Sequence, residues 1–173
     1  MGSTKRSHLL AGFICSMLPG FLNCAGNRPD PELATTFVRV TQDSVALQRT
    51  PDMTSFSVKV KIRNDGRVPI VFGGCGPAAQ RNISGVWTTV WTPICISSQT
   101  ATIMPGDSVA FPVTVAGFTI PRVEPPLDPR MIAGTYRFKF GIAPTTNPRT
   151  SNNPRTSSEL RELKTPPFKV YEQ

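Results

Sequence analysis

Thr54-Ser55-Phe56-Ser57-Val58-Lys59-Val60-Lys61-Ile62-Arg63 alternates without a break. Phe56, Val58, Val60 and Ile62 fall on one phase, and Ser57, Lys59, Lys61 and Arg63 on the other. Successive side chains of a strand point to opposite faces. The stretch therefore predicts an antiparallel strand with one face buried and one in water. Asn64-Asp65-Gly66 ends it as a turn. Pro69-Ile70-Val71-Phe72 reads as the next short strand, stopped by Gly73-Gly74.

The same period recurs along the chain. Val109, Phe111, Val113 and Val115 point inward from a strand that follows the turn Met104-Pro105-Gly106-Asp107. Pro112 lies on its outward phase and cannot donate to a ladder, which predicts an edge strand or a bulge. Tyr136, Phe138 and Phe140 share a face opposite Arg137 and Lys139. Phe168 and Val170 fit a closing strand. Thr36, Val38 and Val40, then Val45 and Leu47, fit opening strands. Ser158 to Lys164 fits one helical turn or a strand. Proline (18) and glycine (13) together occur about once in every five or six of the 173 residues, too often for long helices. The expectation is an all-β sandwich of about seven to nine short strands. Residues 117–133 carry Pro121, Pro125, Pro126 and Pro129 and predict an irregular crossover. Residues 144–157 hold a near-tandem repeat, Asn147-Pro148-Arg149-Thr150-Ser151 and Asn153-Pro154-Arg155-Thr156-Ser157. They predict a loop tip that tolerates duplication.

Residues 1–24 predict where the protein works. Lys5 and Arg6 give a basic start, and Leu9 to Leu22 is mostly apolar. This is the plan of a secretory signal, and it is shorter than the ~18 apolar residues of a spanning helix. A retained N-terminal anchor is the other reading. Cys24 follows the apolar run and precedes a polar, Pro-rich stretch, which resembles the lipid-attachment site of bacterial lipoproteins. Asn23 departs from the small residue that family places before its cysteine, so cleavage after Ala25 stays open. The expected organisation is a signal at 1–24 ending on Cys24, a tether at 25–33 and a sandwich domain at 34–173. The localisation expected is the bacterial cell envelope, by lipid anchor or as a periplasmic or secreted chain.

Cys75 and Cys95 then remain as a pair. In an oxidising compartment they predict a disulfide; in the cytosol they would be two buried thiols.

The single histidine, His8, lies inside the signal. A mature chain without imidazole excludes Ser-His-Asp and Cys-His catalysis and every histidine-ligated metal site. Asp65 and Asp107 read as turn formers, no inward face carries two acids, and no Gly-rich loop opens a helix to cradle phosphate. Neither a catalytic residue, nor a metal site, nor a cofactor is expected, and the chain reads as no enzyme.

The formal charge is +8. The stripes Lys59-Lys61-Arg63 and Arg137-Lys139 belong to strands that a sandwich places in different sheets. A nucleic-acid groove gathers its charge, so no nucleic-acid partner is expected. Trp87 and Trp91 share one strand phase with Thr89. They are either core or one wall of a binding surface, for which exposed aromatics are suited.

Four features recur in order: the strand ending in Asn64-Asp65-Gly66-Arg67-Val68-Pro69-Ile70; Gly85-Val86-Trp87 with Val90-Trp91; Pro105-Gly106-Asp107-Ser108 leading into Val109-Ala110-Phe111; and Gly134-Thr135-Tyr136-Arg137-Phe138. The order resembles bacterial immunoglobulin-like domains, in particular the BsuPI-type proteinase-inhibitor domain, over about residues 54–142. The resemblance implies an immunoglobulin-like antiparallel β-sandwich. Cys75 and Cys95 depart from that family, which is named for intracellular proteins. The expected role is a binding or structural module of a lipid-anchored envelope protein, with an envelope protein or glycan as partner. Protease inhibition is the alternative that the resemblance implies.

Overall fold

The computed structural model describes residues 36–74, 76–94, 99–144 and 161–173. The expected signal, the tether, Cys24, Cys75, Cys95 and the repeat at 147–157 lie outside the described residues.

Eleven strands run through the described residues: β1 (Thr36–Val40), β2 (Ser44–Arg49), β3 (Met53–Asn64), β4 (Ile70–Gly74), β5 (Ala78–Ile83), β6 (Val86–Trp91), β7 (Gln99–Ile103), β8 (Ser108–Phe118), β9 (Gly134–Pro144), β10 (Arg161–Lys164) and β11 (Phe168–Glu172). The first layer centres on β3. One side of β3 pairs with β8 along its whole length, from Met53↔Phe118 to Arg63↔Ser108. Its other side takes β1 at one end and β2 at the other. The second layer centres on β9, flanked by β11 and β10 on one side and by β5 and β4 on the other. From there β6 extends β5 and β7 extends β4. Pairing of β3 with β1 and β8, and of β9 with β4 and β11, is the arrangement of an immunoglobulin-like sandwich.

Two details depart from the expectation. The strand count exceeds seven to nine because two strands share each flank of β9, β4 ending at Gly74 before β5 begins at Ala78, and β10 ending at Lys164 before β11 begins at Phe168. Ladders are not all antiparallel: β2 pairs with β3 antiparallel but with β11 parallel, Val45 opposite Val170. The hairpin with β3 fixes the direction of β2 before it reaches the second layer, so it meets β11 running the same way. One strand thereby belongs to both layers.

The deciding alternation holds. Phe56 is 2% exposed and Val58, Val60 and Ile62 are fully buried, while Ser57, Lys59 and Arg63 are exposed. Across the core, Phe56 meets Tyr136 edge-on at 5.1 Å between ring centroids. Phe138 packs on Phe168 at 5.2 Å, and Phe111 stacks on Phe72 at 5.2 Å. Edge and offset contacts of this kind add stabilisation beyond area burial. Pro112 is exposed on β8, and β8 pairs with β3 alone among the described residues, so the edge reading of that proline is correct.

Tyr136 starts β9 with its ring buried and its hydroxyl donating to the Ile132 carbonyl at 2.6 Å. A tyrosine tying this corner back to upstream backbone is a feature of immunoglobulin-like domains. Burial pushes the phenol up from 10.0 to about 12. The unfolded chain loses this proton first, so it binds fewer protons than the folded chain between these two values. Stability therefore falls as pH rises from about 10 to about 12, by roughly 2 kcal/mol. Urea unfolding of the wild type and of Tyr136→Phe across this range checks it: the slope with pH should flatten in the variant, and parallel slopes would contradict it.

Candidate functional site

The tryptophan strand begins at a two-residue turn. Ser84 and Gly85 both take positive φ, 51° and 88°. A turn with positive φ at both central residues twists in the same right-handed sense as the strands it joins. Asn82 steadies the turn by accepting the Gly85 N–H at its Oδ1, 2.8 Å away. From there β6 pairs with β5, Ile83↔Val86, Asn82↔Trp87, Arg81↔Thr88 and Gln80↔Thr89. The register then shifts, and Ala79 faces Trp91. Val90 is the extra residue of a β-bulge, which bends the strand and re-aims its side chains.

The bulge separates the two tryptophans. Simple alternation predicts Trp87 and Trp91 on one face. Instead Val90 is 5% exposed in the core, and Trp91 packs against the same core. Trp91 Nε1 donates to the Ala116 carbonyl of β8 at 2.8 Å. That carbonyl is free for a reason written in the sequence. Pro112 has no N–H, so Lys59↔Pro112 is a pair without ladder hydrogen bonds. Pairs alternate, and Ala116 lies four residues further on, so its backbone groups also point away from β3. Trp91 thus bridges the open edges of the two layers.

Trp87 stays on the outer face of the second layer, half-buried. The Arg137 guanidinium lies 4.2 Å from the Trp87 ring centroid. Arg137 Nε donates to Gln80 Oε1 at 2.8 Å, and Gln80 Nε2 donates to Thr89 Oγ1 at 3.4 Å. Gln80, Thr89 and Arg137 sit side by side on three neighbouring strands. A cation over an indole face is worth about 0.5–1 kcal/mol at an exposed site.

Beside Trp91 runs a groove of about 330 Å³, lined by Thr89 to Thr92 on one side and Pro125 to Pro129 on the other. The crossover of residues 119–133 is irregular, as expected, but anchored. Phe118 N–H donates to the Pro125 carbonyl at 3.1 Å, and Leu127 N–H donates back to the Phe118 carbonyl at 2.9 Å. Met131, 1% exposed, pins the far end. Arg130 Nε donates to Asp128 Oδ1 at 2.8 Å, and this bond holds the Asp128 carboxyl below its ordinary range. The sequence alone does not mark the proline wall of the groove. Its signal, the density of prolines between Pro121 and Pro129, reads there only as irregularity.

The two basic stripes lie in different layers, as the sandwich reading required. Lys59, Lys61 and Arg63 belong to β3, and Arg137 and Lys139 to β9. Cys75 and Cys95 lie outside the described residues, but their neighbours are close. Gly74 pairs with Gln99, and a Cβ built on Gly76 would lie 3.4 Å from Pro93 Cγ.

No family model matches the chain, and no curated protein matches it. Among solved structures, it is similar to a structural-genomics target named SoR45, with 16% identity, 80% of this chain and 87% of that chain covered, and a TM-score of 0.48. It is also similar to the putative ApaA protein of Bordetella pertussis, at 13% identity, 79% and 93% coverage and a TM-score of 0.43. A third is the ASH/PapD-like domain of human CEP192, at 13% identity, 91% and 99% coverage and a TM-score of 0.33. Strand pairing within the chain itself makes it an immunoglobulin-like β-sandwich domain.

Proposed function

We propose that the chain is a non-enzymatic cell-envelope lipoprotein whose sandwich domain is a binding module. The observation that carries this reading is the groove at Trp91. One wall is proline-rich, and the other is β6, which pairs with β5 alone among the described residues. The tight turn makes Ile83↔Val86 a hydrogen-bonded pair, so the alternate residues Trp87 and Thr89 turn their backbone groups to the open edge. An extended segment of an envelope protein can add to such an edge by main-chain bonds, with its side chains entering the groove. Photo-crosslinking residues placed at Thr89 and, as a control, at Ala110 on the other layer test this in the native envelope. A discrete protein adduct from Thr89 and no protein adduct from Ala110 supports the edge; equal protein labelling from both overturns it. A panel of serine and cysteine proteases tests the alternative, since stoichiometric loss of protease activity would make the chain an inhibitor of the BsuPI type.

In this reading residues 1–24 export the chain, and lipid on Cys24 holds it at a membrane. Growth on labelled palmitate is expected to mark the wild type and not Cys24→Ala; equal or absent label in both ends the lipoprotein claim. Export also places Cys75 and Cys95 in an oxidising compartment, and the closeness of Gly74 to Gln99 and of Gly76 to Pro93 supports a bridge between them. A non-reduced digest of protein taken from the envelope should yield the linked peptides. Free thiols at both positions would sink the bridge.

A further inference from the structure

We propose that the outward face of β1 and β3 docks onto an anionic lipid headgroup layer. The register sets the charges side by side: Arg39 opposite Lys61, Phe37 opposite Arg63, and Lys59 next along β3. Four cations therefore share one flat face. Arg63 bonds to Asp65, but no ion pair involves Arg39, Lys59 or Lys61 among the described residues. Like charges directly opposite on neighbouring strands destabilise a sheet, and here Arg39 and Lys61 stand opposite with no acid between them. The neighbouring β8 adds Ser108, Ala110, Pro112 and Thr114 to this face, all uncharged and exposed.

The other layer is built differently. Lys139 and Lys164 both reach Glu162, and Arg137 is held by Gln80 and Trp87. Its basic stripe is largely spent within the protein, whereas the stripe on β1 and β3 is open. Phe37 is 58% exposed on that same face. An aromatic ring set among cations suits the boundary between headgroups and acyl chains.

The chain path favours a membrane over a soluble polyanion. Phe37 and Arg39 lie on the strand that opens the domain, and Thr36 is twelve residues after Cys24. Twelve residues span at most ~40 Å. A lipid on Cys24 would keep this strand within reach of the bilayer that holds it. That setting rests on the lipoprotein reading, while the docking face is testable without it.

The test uses the full chain carrying Cys24→Ala, which cannot be acylated there, with vesicles of phosphatidylcholine alone or mixed with phosphatidylglycerol. Binding is expected to the anionic vesicles at low salt and to fade as salt rises. Each cation contributes about five-fold near an anionic surface, so Arg39→Gln with Lys59→Gln and Lys61→Gln should weaken binding by more than about tenfold. Lys139→Gln with Lys169→Gln, on the other layer, should leave it within about two-fold. Thermal melts should show both variants folded, the triple variant at or slightly above the parent because it relieves the Arg39–Lys61 repulsion, and the control slightly below it because it loses the exposed Lys139–Glu162 pair. Equal loss in the two variants, equal binding to both vesicle types, or no binding to anionic vesicles at low salt overturns the proposal. Failure of the palmitate label would remove the anchor and leave these results standing, so the two failures are distinguishable.

Discussion

Asn64→Leu should cost about 4 kcal/mol, a fall of roughly 10 °C or more in Tm for a domain of this size. Asn64 is fully buried at the end of β3. Its Nδ2 donates to the Val68 carbonyl at 2.8 Å and to the Ile103 carbonyl at 3.0 Å. Its Oδ1 accepts the Gly66 N–H at 3.0 Å. Leucine has nearly the same size but leaves these groups without their partner, and an unsatisfied buried group costs about 1–3 kcal/mol. The same residue's backbone bonds Asp107 and Gly106 in the turn before β8. One side chain thus holds together the ends of β3 and β7 and the turn of residues 65–68. Asp65→Ala is the control: its pair with Arg63 is exposed, and such pairs contribute at most about 1 kcal/mol. Urea unfolding with an unchanged m-value decides between them. A loss below about 1 kcal/mol for Asn64→Leu would contradict the clamp.

Gly117→Val should destabilise by about 3 kcal/mol and redden Trp91 emission as the groove opens. A Cβ on Gly117 would stand 2.9 Å from Leu127 Cα and 3.3 Å from Met131 Sδ. The first is backbone and cannot swing aside. Backbone φ at this glycine is one that any residue adopts, so the penalty is the space that the crossover occupies. Relief requires the Pro125–Leu127 segment to lift from the Phe118 bridge, which removes one wall of the groove. Gly85→Ala separates the two effects. Its Cβ meets nothing, but its φ of 88° strains any side chain. It should cost about 1 kcal/mol and leave the Trp91 emission unchanged. Unaltered emission in Gly117→Val would disprove the coupling between the glycine and the groove.

The layers of the sandwich were legible in β3, β8 and β9 because each buries one face and wets the other, and that contrast is what periodicity detects. β5 was not legible. Ala78-Ala79-Gln80-Arg81-Asn82-Ile83 has little β-branched character, and it is a strand because β6 and β9 complete its hydrogen bonds from both sides. β7, Gln99–Ile103, is short and polar and is held by β4 in the same way. The tryptophans were recognisable as residues of interest, but their faces were not. A bulge is decided by the partner strand, and nothing in Val86-Trp87-Thr88-Thr89-Val90-Trp91 marks Val90 as the extra residue. The proline wall escaped because proline reports that a segment is irregular, not where it docks. Asn64 looked like a turn former, which it is. Its larger part, reaching Ile103, depends on a contact 39 residues away.

Because β2 borders both layers, β11 closes the sheet by slipping between β2 and β9, joining Ser44 to Lys169 and Leu47 to Glu172. The seam cannot form until synthesis has reached Glu172. A growing chain therefore carries β2 with its outer edge bare from its own synthesis until that of β11. Such an edge is a template for pairing with another chain, and distant closure of this kind is slow. Under the export proposed above, a chain held open in this way suits passage through a narrow pore in extended form, with the sandwich shut once β11 has joined β2.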